Sequence, residues 1–237
     1  MKVAIYQNNP QFGKIRENVD DVIGMIRNRK FDLLVLPELF ATGYQFKNIK
    51  EASSLADPAG GGYTFDTLKE FSHQRGCLII YGFAERKREK LFNSAMAILP
   101  DGSYYLYQKT HLFDTEKEIF SSGETGFFTF SFQNAQIGIM ICFDWRFPES
   151  ARKLALLGAQ IICHPSNLVL PHGPDAMITR ALENRVYIIT ADRIGQERRK
   201  GRRLNFIGRS RIISPEGKIL ARLGGNQIGF LSAAISP

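Results

Sequence analysis

Three residues of this chain set reactive side chains among apolar neighbours: Glu38, Lys109 and Cys142. The cysteine closes the apolar run GIMIC and opens FDWRFPES, which brings an acid, the chain's only tryptophan, an arginine and a proline within six residues. A thiol attacks once its proton is removed. Four histidines could serve. His73 reads onto the polar side of a helix. His164 adjoins Cys163 on a strand, so the two side chains face opposite ways. His111 is a weak candidate base and reads better as support for Lys109. A buried carboxylate is the other proton acceptor, because desolvation raises its pKa toward the working range. Glu38 ends the run LLVLPE and fits that role, although a salt-bridged structural acid fits those residues too. Lys109 leaves the aromatic run YYLYQK. Alone it reads as a strand-end surface lysine; beside a thiol it would favour thiolate and hold an oxyanion. Taken together, carboxylate, ammonium and thiol meet three needs of acyl transfer.

The elements that position these residues come in a repeated order. KVAIYQN reads as a strand, residues 14–29 as an amphipathic helix, DLLVLPE as a strand buried on both faces, and residues 62–75 as a helix. CLIIYGF is a further strand, and NSAMAILPDGSYYLYQK is a hairpin turning on Asp101-Gly102. AQIGIMIC then restarts the pattern. A helix follows over residues 148–157, then the strand AQIICHPSN, a helix over residues 174–185, the strand VYIITADR, and a hairpin turning on Glu216-Gly217. Each half makes one sheet with helices on one side only. Strands this apolar need cover on both faces, so the expected fold is a four-layer α-β-β-α sandwich of two similar halves. With no linker between the halves, residues 1–237 read as one domain. Sites in such sheets lie beyond the C-terminal strand ends, where Glu38, Cys142 and Asn167 fall.

Composition narrows the class. With 44% hydrophobic and 23% charged residues the chain reads as a soluble globular protein. No apolar run is long enough for a membrane span, and the N-terminus reads as a first strand. Three cysteines without close spacing argue for a reducing, cytoplasmic setting, with Cys77 and Cys163 as inert core residues. No histidine–cysteine spacing suggests a metal, and no cofactor is expected. Five of the positive charges behind the net +8 lie in Arg198 to Arg203, which reads as a solvated loop. Without interleaved aromatics it is a poor nucleic-acid surface.

LPELFATGY around Glu38, QKTHLF around Lys109 and CFDWRFPES from Cys142, in that order, make the chain resemble the nitrilase (carbon–nitrogen hydrolase) superfamily. HPSNLVLP and RALENRVYIITADRIG are similar to its single-domain amidohydrolase branch. The family fold is again the α-β-β-α sandwich. The resemblance implies a Glu38–Lys109–Cys142 triad, with Glu116 as second glutamate, favoured over Glu118 by its spacing to Gly123. It implies that the Phe143 N–H meets the oxyanion and that Tyr44, Trp145 and Asn167 are pocket neighbours. Asp144 and Arg146 would hold the nucleophile turn. The implied activity is hydrolysis of a small amide through a thioester, with nitrile hydrolysis as the alternative and a silent binding module as the reading from another class. Family members self-associate, often through a C-terminal arm. This chain ends at QIGFLSAAISP, so a homodimer without tail exchange is expected through the helices after Pro148 and around 174–185, using Met177, Ile178, Ala181 and Leu182.

Overall fold

The computed structural model describes residues 1–237 and begins with β1 (Lys2–Gln7), buried from Val3 onward. α1 (Ile15–Ile26) turns Val19, Val22 and Ile26 inward at helical spacing. β2 (Leu33–Val35), α2 (Ile49–Leu55), α3 (Tyr63–Arg75), β3 (Leu78–Lys87), β4 (Lys90–Ile98) and β5 (Tyr104–Gln108) complete the first half. The second half comprises β6 (Thr129–Phe132), β7 (Ala135–Ile139), α4 (Pro148–Leu156), β8 (Ile161–Ser166), α5 (Gly173–Asn184) and β9 (Tyr187–Asp192), then β10 (Ile194–Arg199), β11 (Arg202–Ile207), β12 (Arg211–Ile213), β13 (Ile219–Arg222) and β14 (Gly229–Ala234).

The two sheets repeat one design. Their orders are β14-β1-β2-β3-β4-β5 and β6-β7-β8-β9-β12-β13. In each, three parallel strands carry an antiparallel strand on one side and an antiparallel pair on the other. The flanking strand comes from opposite places in the chain: β6 immediately precedes the β7 it pairs with, whereas β14 returns from the far end to pair with β1. Alternation along the strands builds the layers. Val3, Ile5, Leu33, Val35, Leu78 and Ile80 face the second sheet and share a core with Ile137, Ile139, Ile161 and Cys163. The intervening Ala4, Tyr6, Leu34, Leu36, Ile79 and Tyr81 face α1 and α3, where Val19, Val22, Phe65 and Leu68 meet them. This is the α-β-β-α sandwich expected from the repeat.

Several expectations need correction. β2 is only three residues long, because Pro37 has no N–H to extend the ladder and the chain turns away at Glu38. α2, β6 and the β10–β11 hairpin were not anticipated; the last runs through the basic stretch Arg198 to Arg203, which is a hairpin turn and not an open loop. Met177 and Ala181 are fully buried core residues, not surface. On the helical face Leu156 and Leu182 are the exposed residues, at 77% and 56%, with Leu157 at 40%. No helix is long and apolar enough to cross a membrane.

Candidate active site

Glu38 sits just past β2, where the backbone passes over Gly82 of β3. A Cβ on Gly82 would lie 2.5 Å from the Glu38 Cα, so glycine is what lets the acid come this close to the sheet. Leu39, next in the chain, holds a φ of 48°. Lys109 follows β5. Its N–H donates to the Asn93 carbonyl at 2.8 Å, and its own carbonyl accepts from Gly123 N–H at 3.0 Å. A Cβ on Gly123 would meet the Gln108 carbonyl oxygen at 2.2 Å, so glycine is required there as well. Glu116 lies on a short 3-10 turn, residues 114–118, and its Oε2 accepts from Phe113 N–H at 2.9 Å.

These side chains meet in a buried cluster. Lys109 Nζ donates to Glu38 Oε1 at 2.6 Å and lies 2.8 and 2.9 Å from the two Glu116 oxygens. Asn93 Nδ2 donates to Glu38 Oε1 at 2.7 Å, and Tyr44 OH to Glu116 Oε1 at 2.6 Å. Glu38 Oε2 is buried and has no partner. Glu118, the competing acid, is exposed and pairs with Lys200 at 2.9 Å.

The second sheet contributes the thiol. Cys142 follows β7 at the start of a 3-10 turn, residues 142–146, with a φ of 39°, uncommon for a residue bearing a Cβ. Asp144 braces the turn. It accepts from Ile141 N–H at 2.9 Å, Tyr107 OH at 2.8 Å and His111 N–H at 3.1 Å, and it lies 2.7 Å from His111 Nδ1. His111 also stacks on Phe147, with ring centroids 3.7 Å apart. It therefore supports the nucleophile turn, not Lys109 as the sequence suggested. Arg146 does not brace the turn: it is exposed, with its guanidinium 5.7 Å from the centre of the Trp145 ring. Trp145 is buried in the core beneath the turn. The Phe143 N–H meets no internal acceptor. The Asn167 backbone lies near the Cys142 thiol, and both polar atoms of the buried Asn167 side chain are unpartnered.

Electrostatics follow from burial. Desolvation pushes the Cys142 thiol well above its ordinary value; Glu38 and Glu116 add to this and Lys109 opposes it. A thiolate would be a third negative charge around one buried cation, so the resting sulfur keeps its proton. Glu38 is raised by burial and by Glu116, against the pull of Lys109 and Asn93. Burial would lower Lys109, but Glu116 and Glu38 outweigh it and keep the ammonium charged.

A cavity of about 250 Å³ opens beside the cluster, with Tyr44, Phe46, Glu116, Ile119, Phe120 and Leu204 among its walls and Lys200 and Arg202 at its rim. The basic hairpin is tied down around it. Arg202 pairs with Asp114 at 2.6 Å and Lys200 with Glu118, both on the turn that bears Glu116. Arg199 pairs with Glu51 and donates to the Gln45 carbonyl at 2.9 Å, next to Tyr44. Three of the five basic residues are thus neutralised locally.

Of the residues singled out in the sequence, Glu38, Lys109 and Glu116 lie in one hydrogen-bonded cluster, Cys142 lies close enough to feel their charges, and Tyr44 doubles as cavity wall and Glu116 donor. Trp145, Phe143 and Asn167 do not line that cavity; they flank the thiol. Sequence reasoning missed Asn93 and Asp192. Asp192 is fully buried, accepts from Leu168 and Arg193 N–H through Oδ1 at 2.8 and 2.9 Å, and leaves Oδ2 unpartnered. An asparagine inside an apolar hairpin strand and an aspartate ending VYIITAD were the available signals.

Comparison with known proteins shows the family and the fold. The carbon-nitrogen hydrolase family model matches residues 2–237. A nitrilase from Pyrococcus abyssi is 44% identical over 224 residues, covering 93% of this chain and 84% of its own. An (R)-stereoselective amidase from a Pseudomonas species is 30% identical, covering 96% and 82%. A solved glutamate-to-glutamine mutant of the amidase from Nesterenkonia sp. AN1, captured after Michael addition of acrylamide at its active-site cysteine, superposes with a TM-score of 0.85 at 25% identity, covering 100% of this chain and 93% of that one.

Proposed function

This chain belongs to the carbon-nitrogen hydrolase family, and from that premise we propose that it hydrolyses small amides through a Cys142 thioester, with residues 1–237 acting as one catalytic domain. The observation that carries the reading is Glu38 Oε2: a buried carboxylate oxygen with no partner, on an acid whose other oxygen is held by Lys109 and Asn93. That oxygen is free to take a proton, and the neighbouring thiol has one to give.

In the proposed reaction Cys142 Sγ attacks the amide carbon while its proton passes to Glu38 Oε2. A C–S bond forms, and the carbonyl π pair moves onto oxygen. Lys109 and the unused Phe143 N–H hold that oxyanion; the two Glu116 oxygens can share one Lys109 proton, which frees another. Collapse breaks the C–N bond, and Glu38 returns its proton to the leaving nitrogen. Water then attacks the thioester as Glu38 takes its proton; collapse breaks the C–S bond, Glu38 passes that proton to the departing sulfur, and the acid is released. Glu116 keeps Lys109 charged and oriented. The cavity of about 250 Å³ reaches this cluster through Tyr44 and Glu116; Cys142, Glu38 and Lys109 lie behind those walls and do not line it.

A nitrile could enter the same scheme through a thioimidate, and the 44% identity to a protein named nitrilase favours keeping that reading. Incubation with a panel of small amides and nitriles, reading released ammonia and the mass of the Cys142 peptide, separates the two. Ammonia and an acyl adduct from amides are expected; turnover of nitriles alone would exchange the two readings, and turnover of neither would remove both.

We further propose a homodimer through the helical face. Leu156 on α4, Leu157 just past its end and Leu182 on α5 are exposed, and Arg152 joins the two helices by donating to the Glu183 carbonyl at 3.1 Å. Light scattering across a concentration series should give twice the chain mass, reduced to the monomer by Leu182→Glu.

A further inference from the structure

The mechanism above leaves one fully buried titratable side chain unused. His164, on β8, sits directly behind the nucleophile, with Nε2 2.9 Å from the Cys142 carbonyl oxygen. Its Nδ1 lies 3.2 Å from Thr190 Oγ1, its register partner on β9. The chemistry of these partners assigns the tautomer. A carbonyl only accepts, so Nε2 carries the hydrogen and Nδ1 accepts from the Thr190 hydroxyl. Ser166 Oγ, 3.1 Å from Nε2, can share the Nε2 hydrogen while donating to the His164 carbonyl at 3.2 Å. Burial drives the His164 pKa down to about 4, so the ring is neutral across the working range.

The carbonyl it holds belongs to the peptide between Cys142 and Phe143. A peptide unit is planar, and in the trans form its C=O and N–H point in opposite directions. Fixing the carbonyl from behind therefore fixes where the Phe143 N–H points in front. That N–H has no internal acceptor. The Cys142 φ of 39° is a sparsely populated backbone state that surrounding contacts must maintain. A hydrogen bond accepted by the carbonyl also polarises the amide, strengthening the N–H as a donor.

We propose that His164 is a positioning residue that aims the Cys142–Phe143 peptide, so that the Phe143 N–H meets the oxyanion, with Thr190 locking the ring in the tautomer this requires. The inference rests on the reading of Cys142 as nucleophile and Phe143 N–H as oxyanion donor. His164 touches no substrate; it acts through the backbone.

The test compares two reactions of the same sulfur. Amide turnover passes through an oxyanion. Modification of Cys142 by methyl methanethiosulfonate forms a disulfide and expels methanesulfinate, with no carbonyl involved. His164→Phe, which cannot donate, should lower kcat for an amide by roughly 10- to 100-fold, somewhat less than loss of an oxyanion donor outright, with KM within about threefold. The thiosulfonate rate, read as the mass of the Cys142 peptide, should stay within about twofold, because nothing in that reaction uses the donor. His164→Gln, which retains an N–H donor, should recover part of the loss. Equal falls in both reactions, or no fall in kcat, would overturn the proposal. Should His164→Phe lose its cooperative unfolding transition, Thr190→Val replaces it: at least a threefold loss of kcat with unchanged thiosulfonate rate is expected, and an unchanged kcat overturns the proposal. Cys142→Ala run alongside separates the two levels. If it retains turnover, the underlying nucleophile reading fails; if it is inactive while the His164 and Thr190 variants turn over normally, only the present inference fails.

Discussion

Two buried ion pairs lie close together in this protein, and they are finished differently. In one, Arg193 pairs with Glu197 beside Phe206, whose ring centre is 4.0 Å from the guanidinium. Both Glu197 oxygens are used: Oε1 by Arg193 and by Tyr44 N–H at 3.0 Å, Oε2 by Gln45 N–H at 2.7 Å. In the other, Lys109 pairs with Glu38 and Glu116, and Glu38 Oε2 is left unpartnered. Leaving a buried carboxylate oxygen unsatisfied costs stability, on the order of 1–3 kcal/mol. The saturated pair ties the Tyr44 loop to β10. The unsaturated one keeps a proton-accepting position open beside a thiol. Burial of charge alone therefore does not mark a reactive site; an unfilled valence beside a thiol is what sets the Glu38 pair apart, since Asp192 Oδ2 is also unpartnered.

Removing the group that the open oxygen serves should have the largest effect. Cys142→Ala is expected to lower kcat by roughly 10⁴-fold or more with the unfolding transition unchanged, as for loss of a nucleophile from a coupled set; ammonia release from an amide measures it. Substituting each glutamate then tests the contrast directly. Glu38→Gln should abolish detectable turnover while the protein still folds, and rapid accumulation of thioester in this variant would assign the first proton to another group. Glu197→Ala should do the reverse, leaving Arg193 buried without its counter-charge at a cost of about 3–5 kcal/mol, read from urea unfolding. Lys109→Ala should lower kcat by at least ~10²-fold, the scale of a lost oxyanion donor.

The smallest effect concerns pH. Burial holds the Asp192 carboxyl well above its ordinary value, and the Glu38 charge adds to the shift. The folded state thus binds this proton more tightly than the unfolded chain. Sub-ordinary pH protonates both states, and as pH rises from there through the folded pKa the stability associated with the proton is lost. Asp192→Asn keeps an oxygen for the Leu168 and Arg193 N–H groups and removes that loss. Its stability relative to the parent protein should therefore be greater at pH 8 than at pH 4 in urea titrations.

Much of this site was legible because it is carried by local chemistry. Cys142, Glu38 and Lys109 each end an apolar strand, and strand ends can be read from a change in residue type. The repeated order of elements implied two sheets and a shared core. His111 was legible as a site residue but was given the wrong partner. Its neighbour in sequence is Lys109, whereas its neighbour in space is Asp144, more than thirty residues away. Met177 and Ala181 were misassigned for a related reason: helical spacing shows that one face is apolar without showing which neighbour already covers it.

What the sequence determined by itself was the inventory of reactive groups and their arrival at the C-terminal ends of strands, since alternating burial and turn residues act over a few positions. What tertiary structure decided was how far each group is satisfied. Strand order within the first sheet brings Lys109 between two glutamates and β14 back to β1, strand order within the second sets His164 behind the nucleophile's carbonyl, and packing the two sheets face to face brings Cys142 within reach of the Glu38, Lys109 and Glu116 charges. Hydrogen-bond saturation depends on angstrom-scale distances between residues remote in the chain, and strand periodicity carries no record of those distances.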